Sequence, residues 1–221
     1  MHEIADFYFP DRLIYSTLEQ NSKIGVLAEQ MDSDSNLTEK QPPELLSLIV
    51  FGFNQAGLIH EAILAAFAQT YQPLEIVLSD NGSDDETFAV MEKLARAYDG
   101  PHTVRLNRNS ENRGFIGHVN QAFDLCRGVL IVYNPGDDVS LPERAGELYN
   151  AFRHDRPLLV HSDAFKMTAD GTVMDEVFSQ KARLDSMDLE AFAKSQGLVI
   201  GATCAWNPDM FRIFGPITYE K

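Results

Sequence analysis

Cysteine is scarce: Cys126 and Cys204 are the only two in 221 residues and form no Cys-x-x-Cys pair. That excludes a disulfide framework and gives no sign of a cysteine-based structural zinc site. Positive charge is scarce as well. With 18 Lys and Arg against 33 Asp and Glu, the chain carries a formal charge of −15, and a surface of that sign repels nucleic-acid backbones and anionic head groups. No nucleic-acid partner is expected. No apolar run approaches the ~18 residues that cross a bilayer, so no membrane span is expected, and Met1-His2-Glu3 opens without the basic region and apolar stretch of a leader. A reduced, cytoplasmic setting fits these absences.

Apolar residues make up 44% and charged residues 23%, near the globular averages of ~45–50% and ~25%, so a real core can form. The length suits one principal domain with an appendage. Residues 1–43 read as that appendage: a helix over about Arg12 to Gln30, then the polar run Asp32-Ser33-Asp34-Ser35-Asn36, ending in the stiff pair Pro42-Pro43. An oligomer, where one forms, is expected to use this helical extension.

From residue 44 onward the pattern changes. Leu45 to Phe51 is a short, nearly continuous apolar run, as in a strand buried on both faces of a parallel sheet. A helical pattern over Leu58 to Thr70 follows, then a strand at Glu75–Ser79, a helix over Asp85 to Tyr98 and a strand at Thr103–Leu106. A helix near Ile116 to Cys126 and the strand Val129–Tyr133 continue the alternation. Repeated β-α-β predicts an α/β domain with a mostly parallel sheet and right-handed crossovers. Leu158–Ser162 reads as a further strand, Met167 to Val173 as a hairpin around Asp170-Gly171, and Ser186 to Gln196 as a helix.

Ligands of open α/β sheets bind beyond the carboxyl ends of the strands, so the residues that follow each strand carry the chemistry. Phe51-Gly52-Phe53-Asn54 offers Phe53 as a flat face for a nucleobase, or as ordinary core. Asp80 and Asn81 offer an acceptor and an amide for a base or ribose edge, or an Asx-type turn closed by Gly82. Asp137 and Asp138 are adjacent carboxylates after a buried strand. They suit Mg²⁺ or Mn²⁺ held jointly with phosphates, or a solvated turn before the helix that opens at Pro142. Asn112 to Asn120 holds Gly114 and Gly117 where a backbone can approach a phosphate, but without the full dinucleotide fingerprint. His60, His118 and His161 have no metal-binding spacing and stay unassigned.

In order along the chain, four blocks resemble the family 2 glycosyltransferases, inverting nucleotide-sugar enzymes of the GT-A fold. They are Leu48–Asn54 with Glu61-Ala62-Ile63 and Ala68-Gln69-Thr70-Tyr71, then Glu75–Thr87, then Asn112–Asn120, and finally Gly128–Tyr133 with Asp137–Arg144. The resemblance implies a Rossmann-like GT-A sheet over 44–221 and a hexosyltransferase-like enzyme, with the nucleotide-binding part over about 44–142 and an acceptor-side part over about 143–221. Its partners would be a nucleoside-diphosphate sugar donor and a saccharide or other hydroxyl acceptor. By that resemblance Phe51, Phe53, Asn54, Asn112, Gly117, Asn120 and Asp137 line the nucleotide-sugar site, and Asp80 or Asn81 reads the base edge. Asp138, helped by Asp137, holds the metal. The family often places Asp two residues before the double Asp, where this chain has Pro135. The catalytic base is expected past Lys221, with Asp163, Asp209 and Glu220 as the alternatives inside the chain. The rival readings are a non-catalytic nucleotide-sugar-binding module and a nucleotidyltransferase. The second is disfavoured because no Gly-rich, Arg- or Lys-bearing loop follows the first strand to hold a triphosphate.

Overall fold

The computed structural model describes residues 12–16, 42–168, 171–178 and 201–218. Its centre is strand β2, Leu46–Gly52, in which every residue is buried. Because side chains alternate across a strand, each parity serves a different core. Leu46, Leu48 and Val50 pack with Ile76, Leu78 and Val132 under helices α1 (Ile59–Phe67), α2 (Thr87–Ala97) and α4 (Arg144–Phe152). Ile49 and Phe51 pack with Val77, Ile131 and Tyr133 under helix α3, Gly114–Asp124. Two-sided burial is why the run is continuously apolar and not alternating.

Strands β3 (Leu74–Asp80), β4 (Thr103–Arg108) and β5 (Ile131–Pro135) run parallel to β2 and its neighbours. Strands β7 (Leu159–His161) and β10 (Cys204–Trp206) complete a six-stranded sheet in the order β4-β3-β2-β5-β10-β7. Strand β10 lies antiparallel between β5 and β7. The connection from β2 leads outward to β3 and β4, whereas β5 adds on the opposite side of β2. The order therefore reverses between β2 and β5, and it is beyond the carboxyl ends of strands at such a point that open α/β sheets form their ligand crevice. Gly136 is needed there, because a Cβ on it would collide with the carbonyl oxygen of Phe51.

A second sheet of four strands sets β1 (Arg12–Ser16) between β6 (Val139–Ser140) and β8 (Asp163–Met167), with β9 (Val173–Phe178) beyond. Residues 12–16 were expected to begin a helix, and they form a strand instead: backbone pairing along β8 in the register Ile14↔Phe165, and with Val139 of β6, prevails over local helical preference. The rest of that expected helix, the linker, and the helix expected over Ser186 to Gln196 lie outside the described residues. The hairpin expected at Met167–Val173 is the β8–β9 turn, closed by the Thr168 N–H donating to the Thr172 carbonyl at 3.0 Å. Strands β6 and β10 had no sequence signal, being two and three residues long.

Candidate nucleotide-sugar site at the strand switch point

One wall of the crevice is built by the ends of β2 and β3. Phe53 follows β2 and is 38% exposed, so of its two readings the structure removes the core one. Phe51, two residues earlier on the same side, is buried and stacks on Tyr133 with ring centroids 4.5 Å apart. Asn54 braces the loop: its N–H donates to the Ser83 hydroxyl at 3.0 Å and its Oδ1 accepts from the Asp84 N–H at 2.9 Å. Asn54 has a φ of 52°, in the left-handed region that asparagine tolerates better than most residues. Gln55 N–H donates to the Thr87 hydroxyl at 2.7 Å, tying the same loop to α2.

Asp80 ends β3 and is fully buried. Its carboxylate accepts the Ser83 N–H at 3.1 Å and the Ser83 hydroxyl, and Arg108 Nε lies 3.5 Å away. Asn81 is tied to neighbours through both side-chain atoms, reaching Asn112, Asn109, Gly114 and Arg113. His118, on α3, meets the Ser79 hydroxyl through Nε2 at 2.8 Å and the Phe51 ring edge-on at 5.0 Å. Burial pushes its imidazole down to about 4, against the raising pull of the Asp80 charge. His118 is therefore neutral at pH 7.

The other wall is the end of β5. Asn134 is buried, donates to the Pro135 carbonyl at 2.9 Å and accepts the Ser140 hydroxyl at 2.5 Å. Arg144, buried at the start of α4, donates to the Tyr133 carbonyl, the Ser140 hydroxyl and the Ala202 carbonyl, each at 3.0 Å. One guanidinium thus joins β5, β6 and the 3₁₀ turn Gly201–Thr203 under the double aspartate. Asp138 is buried and Asp137 half-buried. The Tyr133 phenol is raised well above its ordinary value of 10, chiefly by burial and then by the negative charges of Asp137 and Asp138.

Asn112 and Asn120 are both engaged within the protein. Asn112 Oδ1 accepts from Asn81 and, at 2.8 Å, from the Gly114 N–H. Asn120 holds the tail segment at Ile217 through paired bonds of 2.9 and 3.0 Å. Gly117 lies in the first turns of α3, where a Cβ would come within 3.0 Å of the Arg113 Cβ. Among the other carboxylates, Asp209 opens helix α5 (Asp209–Phe214) and pairs with Arg212 at 2.7 Å. Because β10 runs antiparallel to β5, Asp209 lies towards the amino end of β5, away from Asp138. Asp163 follows β7 at the crevice end of the sheet, while Glu220 is outside the described residues.

Among the described residues no group of three or more His, Cys, Asp or Glu is assembled as a metal site. Mg²⁺-like ions are commonly held by one or two carboxylates, with phosphate and water completing the shell. Asp137 and Asp138, whose joint negative field reaches Tyr133, fit a cation shared with a diphosphate better than a resident all-protein centre. Sequence reasoning missed Arg108, Arg144 and His118. Arg108 ends strand β4 and Arg144 follows β6 closely, which is the one signal that could have marked them.

The sheet order, the switch-point crevice and the double aspartate define a GT-A-type α/β protein. Solved structures share the fold, among them the two that follow. The mannosyltransferase PcManGT from Pyrobaculum calidifontis, in complex with GDP-Man and Mn²⁺, is 16% identical with a TM-score of 0.62, covering 89% of this chain and 54% of that one. TarS residues 1–349 from S. aureus, in complex with UDP-GlcNAc, is 16% identical with a TM-score of 0.56, covering 76% of this chain and 46% of that one. The profile of Glycosyl transferase family 2 matches residues 47–205. The chain belongs to that family.

Among curated relatives, the GalNAc(5)-diNAcBac-PP-undecaprenol beta-1,3-glucosyltransferase of Campylobacter jejuni is 33% identical over 93 residues, 42% of this chain and 29% of that protein. The UDP-Glc:alpha-D-GlcNAc-diphosphoundecaprenol beta-1,3-glucosyltransferase WfaP of Escherichia coli is 27% identical over 95 residues, 43% of this chain and 36% of that protein. The matched stretches span about a third of these relatives. Among the described residues no helix is long and apolar enough to cross a membrane.

Proposed function

We propose that this chain binds a nucleoside-diphosphate sugar together with Mg²⁺ or Mn²⁺ and transfers the sugar to an acceptor hydroxyl with inversion. The observation that carries the reading is the pairing of two walls across the strand switch point: Phe53 and Asp80 on one side, Asp137 and Asp138 on the other. Family membership and the nucleotide-sugar complexes of the two structural neighbours support it.

In this reading Phe53 stacks on the base and Asp80 or Asn81, at the end of β3, meets the base edge. Asp138, with Asp137, holds the cation against the diphosphate, and Arg144 fixes the backbone that presents them. A bound divalent ion supplies Lewis-acid stabilisation of the departing diphosphate. The buried floor formed by Phe51 and Tyr133 excludes water from beneath the donor.

Calorimetry with UDP and GDP, with and without Mn²⁺, tests this reading. Cation-dependent binding of either nucleotide that is lost in Asp138→Ala supports it, and binding indifferent to both cation and variant refutes the metal assignment. Binding without transfer to any hydroxyl acceptor would leave the non-catalytic module.

A further inference from the structure

We infer that strand β1 is a strap on the cation site: by pairing with β6 it sets the chain that leaves the double aspartate, so that its docking and cation binding at Asp137 and Asp138 favour each other. The inference deepens the proposed function and rests on it for the cation. Strand β6, Val139–Ser140, begins at the residue after Asp138. The small sheet has the order β6-β1-β8-β9, so among the described residues β1 is the only strand that β6 pairs with and the link from β6 to β8. Ile14 pairs with Val139 and Tyr15 with Ser140 in parallel, while all of β1 pairs antiparallel with β8, from Arg12↔Met167 to Ser16↔Asp163. Neighbouring strands lie about 4.8 Å apart, so with β1 withdrawn β6 and β8 would stand about 10 Å from each other, too far to pair.

Two kinds of tie hold β6. Side chains make the first: the Ser140 hydroxyl donates to Asn134 Oδ1 at 2.5 Å, and Arg144 donates to the Ser140 hydroxyl at 3.0 Å. The Asp138 N–H closes the preceding turn on the Pro135 carbonyl at 3.3 Å. The second tie is the backbone ladder, and β6 has that only with β1. Two residues are fewer than in an ordinary strand, so β6 takes its extended form from the strand beside it. The peptide that follows the Asp138 carboxylate is thus set by Ile14 and Tyr15, which are more than a hundred residues earlier in the chain.

Strand β1 also lies apart from what the family shares. The family profile matches residues 47–205, which contain β6 and β8 but not Arg12–Ser16. A five-residue strand offsets the entropy of its own ordering by a modest margin, and a docking equilibrium of that size responds to a ligand bound at its edge. Linkage is reciprocal: a cation that binds better when β6 is set must in turn favour the docked strap.

The first test uses the full wild-type chain. Hydrogen exchange read by mass spectrometry should slow over residues 12–16 by about threefold or more when Mn²⁺ is added with UDP or GDP, and Asp138→Ala should abolish the change. Strand β4, at the far edge of the other sheet, should not respond. Exchange over 12–16 that is indifferent to bound nucleotide, or that slows no more than in β4, overturns the inference.

The second test uses Ile14→Pro, which removes a backbone donor from a strand flanked on both sides and cannot stay in the ladder. Exchange over residues 138–141 should rise by about tenfold or more while Leu48–Val50 stays protected. The Kd for Mn²⁺ at saturating nucleotide, followed by the paramagnetic signal of free ion, should rise by about threefold to tenfold. Unchanged exchange over 138–141 means that β6 is held without β1, and unchanged Mn²⁺ affinity means that the strap does not reach the site; either overturns the inference. If Ile14→Pro does not fold, the wild-type comparison decides alone. If the wild type binds neither nucleotide with Mn²⁺, the functional proposal fails and the coupling falls with it, while exchange over 138–141 still decides whether β1 sets β6.

Discussion

Phe51 and Tyr133 stack with their ring planes 24° apart, joining β2 to β5 directly beneath the point where the strand order reverses. Phe53, two residues further along, continues the line of Phe51 past the end of the strand, where its ring meets solvent. One repeat along a strand thus separates a core aromatic from a proposed binding aromatic.

The two phenylalanines should therefore fail in different ways. Phe51→Ala removes a buried ring that also meets His118 and Phe123, and should cost about 3–5 kcal/mol of stability. Phe53→Ala should leave the unfolding midpoint nearly unchanged and weaken nucleotide binding by about 1–3 kcal/mol, the range for base–aromatic stacking. Denaturant melts paired with calorimetry separate the two effects, and a destabilised Phe53→Ala with normal binding would make Phe53 a structural surface ring and not a wall of the base site.

Asp138→Ala should lower metal-dependent nucleotide affinity more than Asp137→Ala does, since Asp138 is the more buried of the pair and lies in line with β6. Titration of Mn²⁺ at fixed nucleotide, followed by the paramagnetic signal of free ion, gives the order directly. Equal losses would assign the two carboxylates equal shares of the cation.

His118 supplies a pH dependence. Its imidazole titrates at about 4 in the folded protein against an ordinary 6.5, so between these values the unfolded chain binds the extra proton and the folded chain does not. Stability from this group is therefore complete above pH 6.5 and falls as pH drops towards 4, by up to about 3 kcal/mol at 1.36 kcal/mol per unit. His118→Gln should flatten the stability profile in that window. An unchanged slope, measured by urea melts from pH 4 to 7, would assign acid sensitivity to other groups.

Gly136→Ala places a methyl against the Phe51 carbonyl and the Ile59 side chain, and the backbone side of that clash cannot yield as a flexible chain would. A loss of about 1–3 kcal/mol is expected, the usual range for overpacking, with the Asp137 and Asp138 backbone displaced. Lower nucleotide affinity in a still-folded variant is the outcome that ties the close approach to the site.

The parallel core was legible because two-sided burial writes itself into sequence. Leu45 to Phe51 and the strands near 75–79 and 129–133 are dominated by unbroken apolar runs, the edge strand near 103–106 alternates Thr103-Val104-Arg105-Leu106, and the helices between them keep apolar residues at helical spacing. The turn residues after those strands, Phe53-Asn54, Asp80-Asn81 and Asp137-Asp138, were equally visible, since strand ends are where such residues interrupt apolar runs. Which of them face the crevice was not. Asn81 and Asn120 look alike as candidate ligands in sequence, yet each is engaged by backbone and side chains from segments far along the chain, Ile217 in the second case. Residues 12–16 and 204–206 hold no local signal strong enough to name a strand, because their pairing partners lie more than a hundred or about seventy residues away. Arg144 reads as a surface arginine until β5, β6 and the turn at Ala202 close around it. Sequence determined the periodicities and the chemistry available at each strand end, since both are local. Only tertiary structure decided which polar groups hold the fold and which line the crevice, because hydrogen-bond partners distant in sequence exist only once the chain has folded.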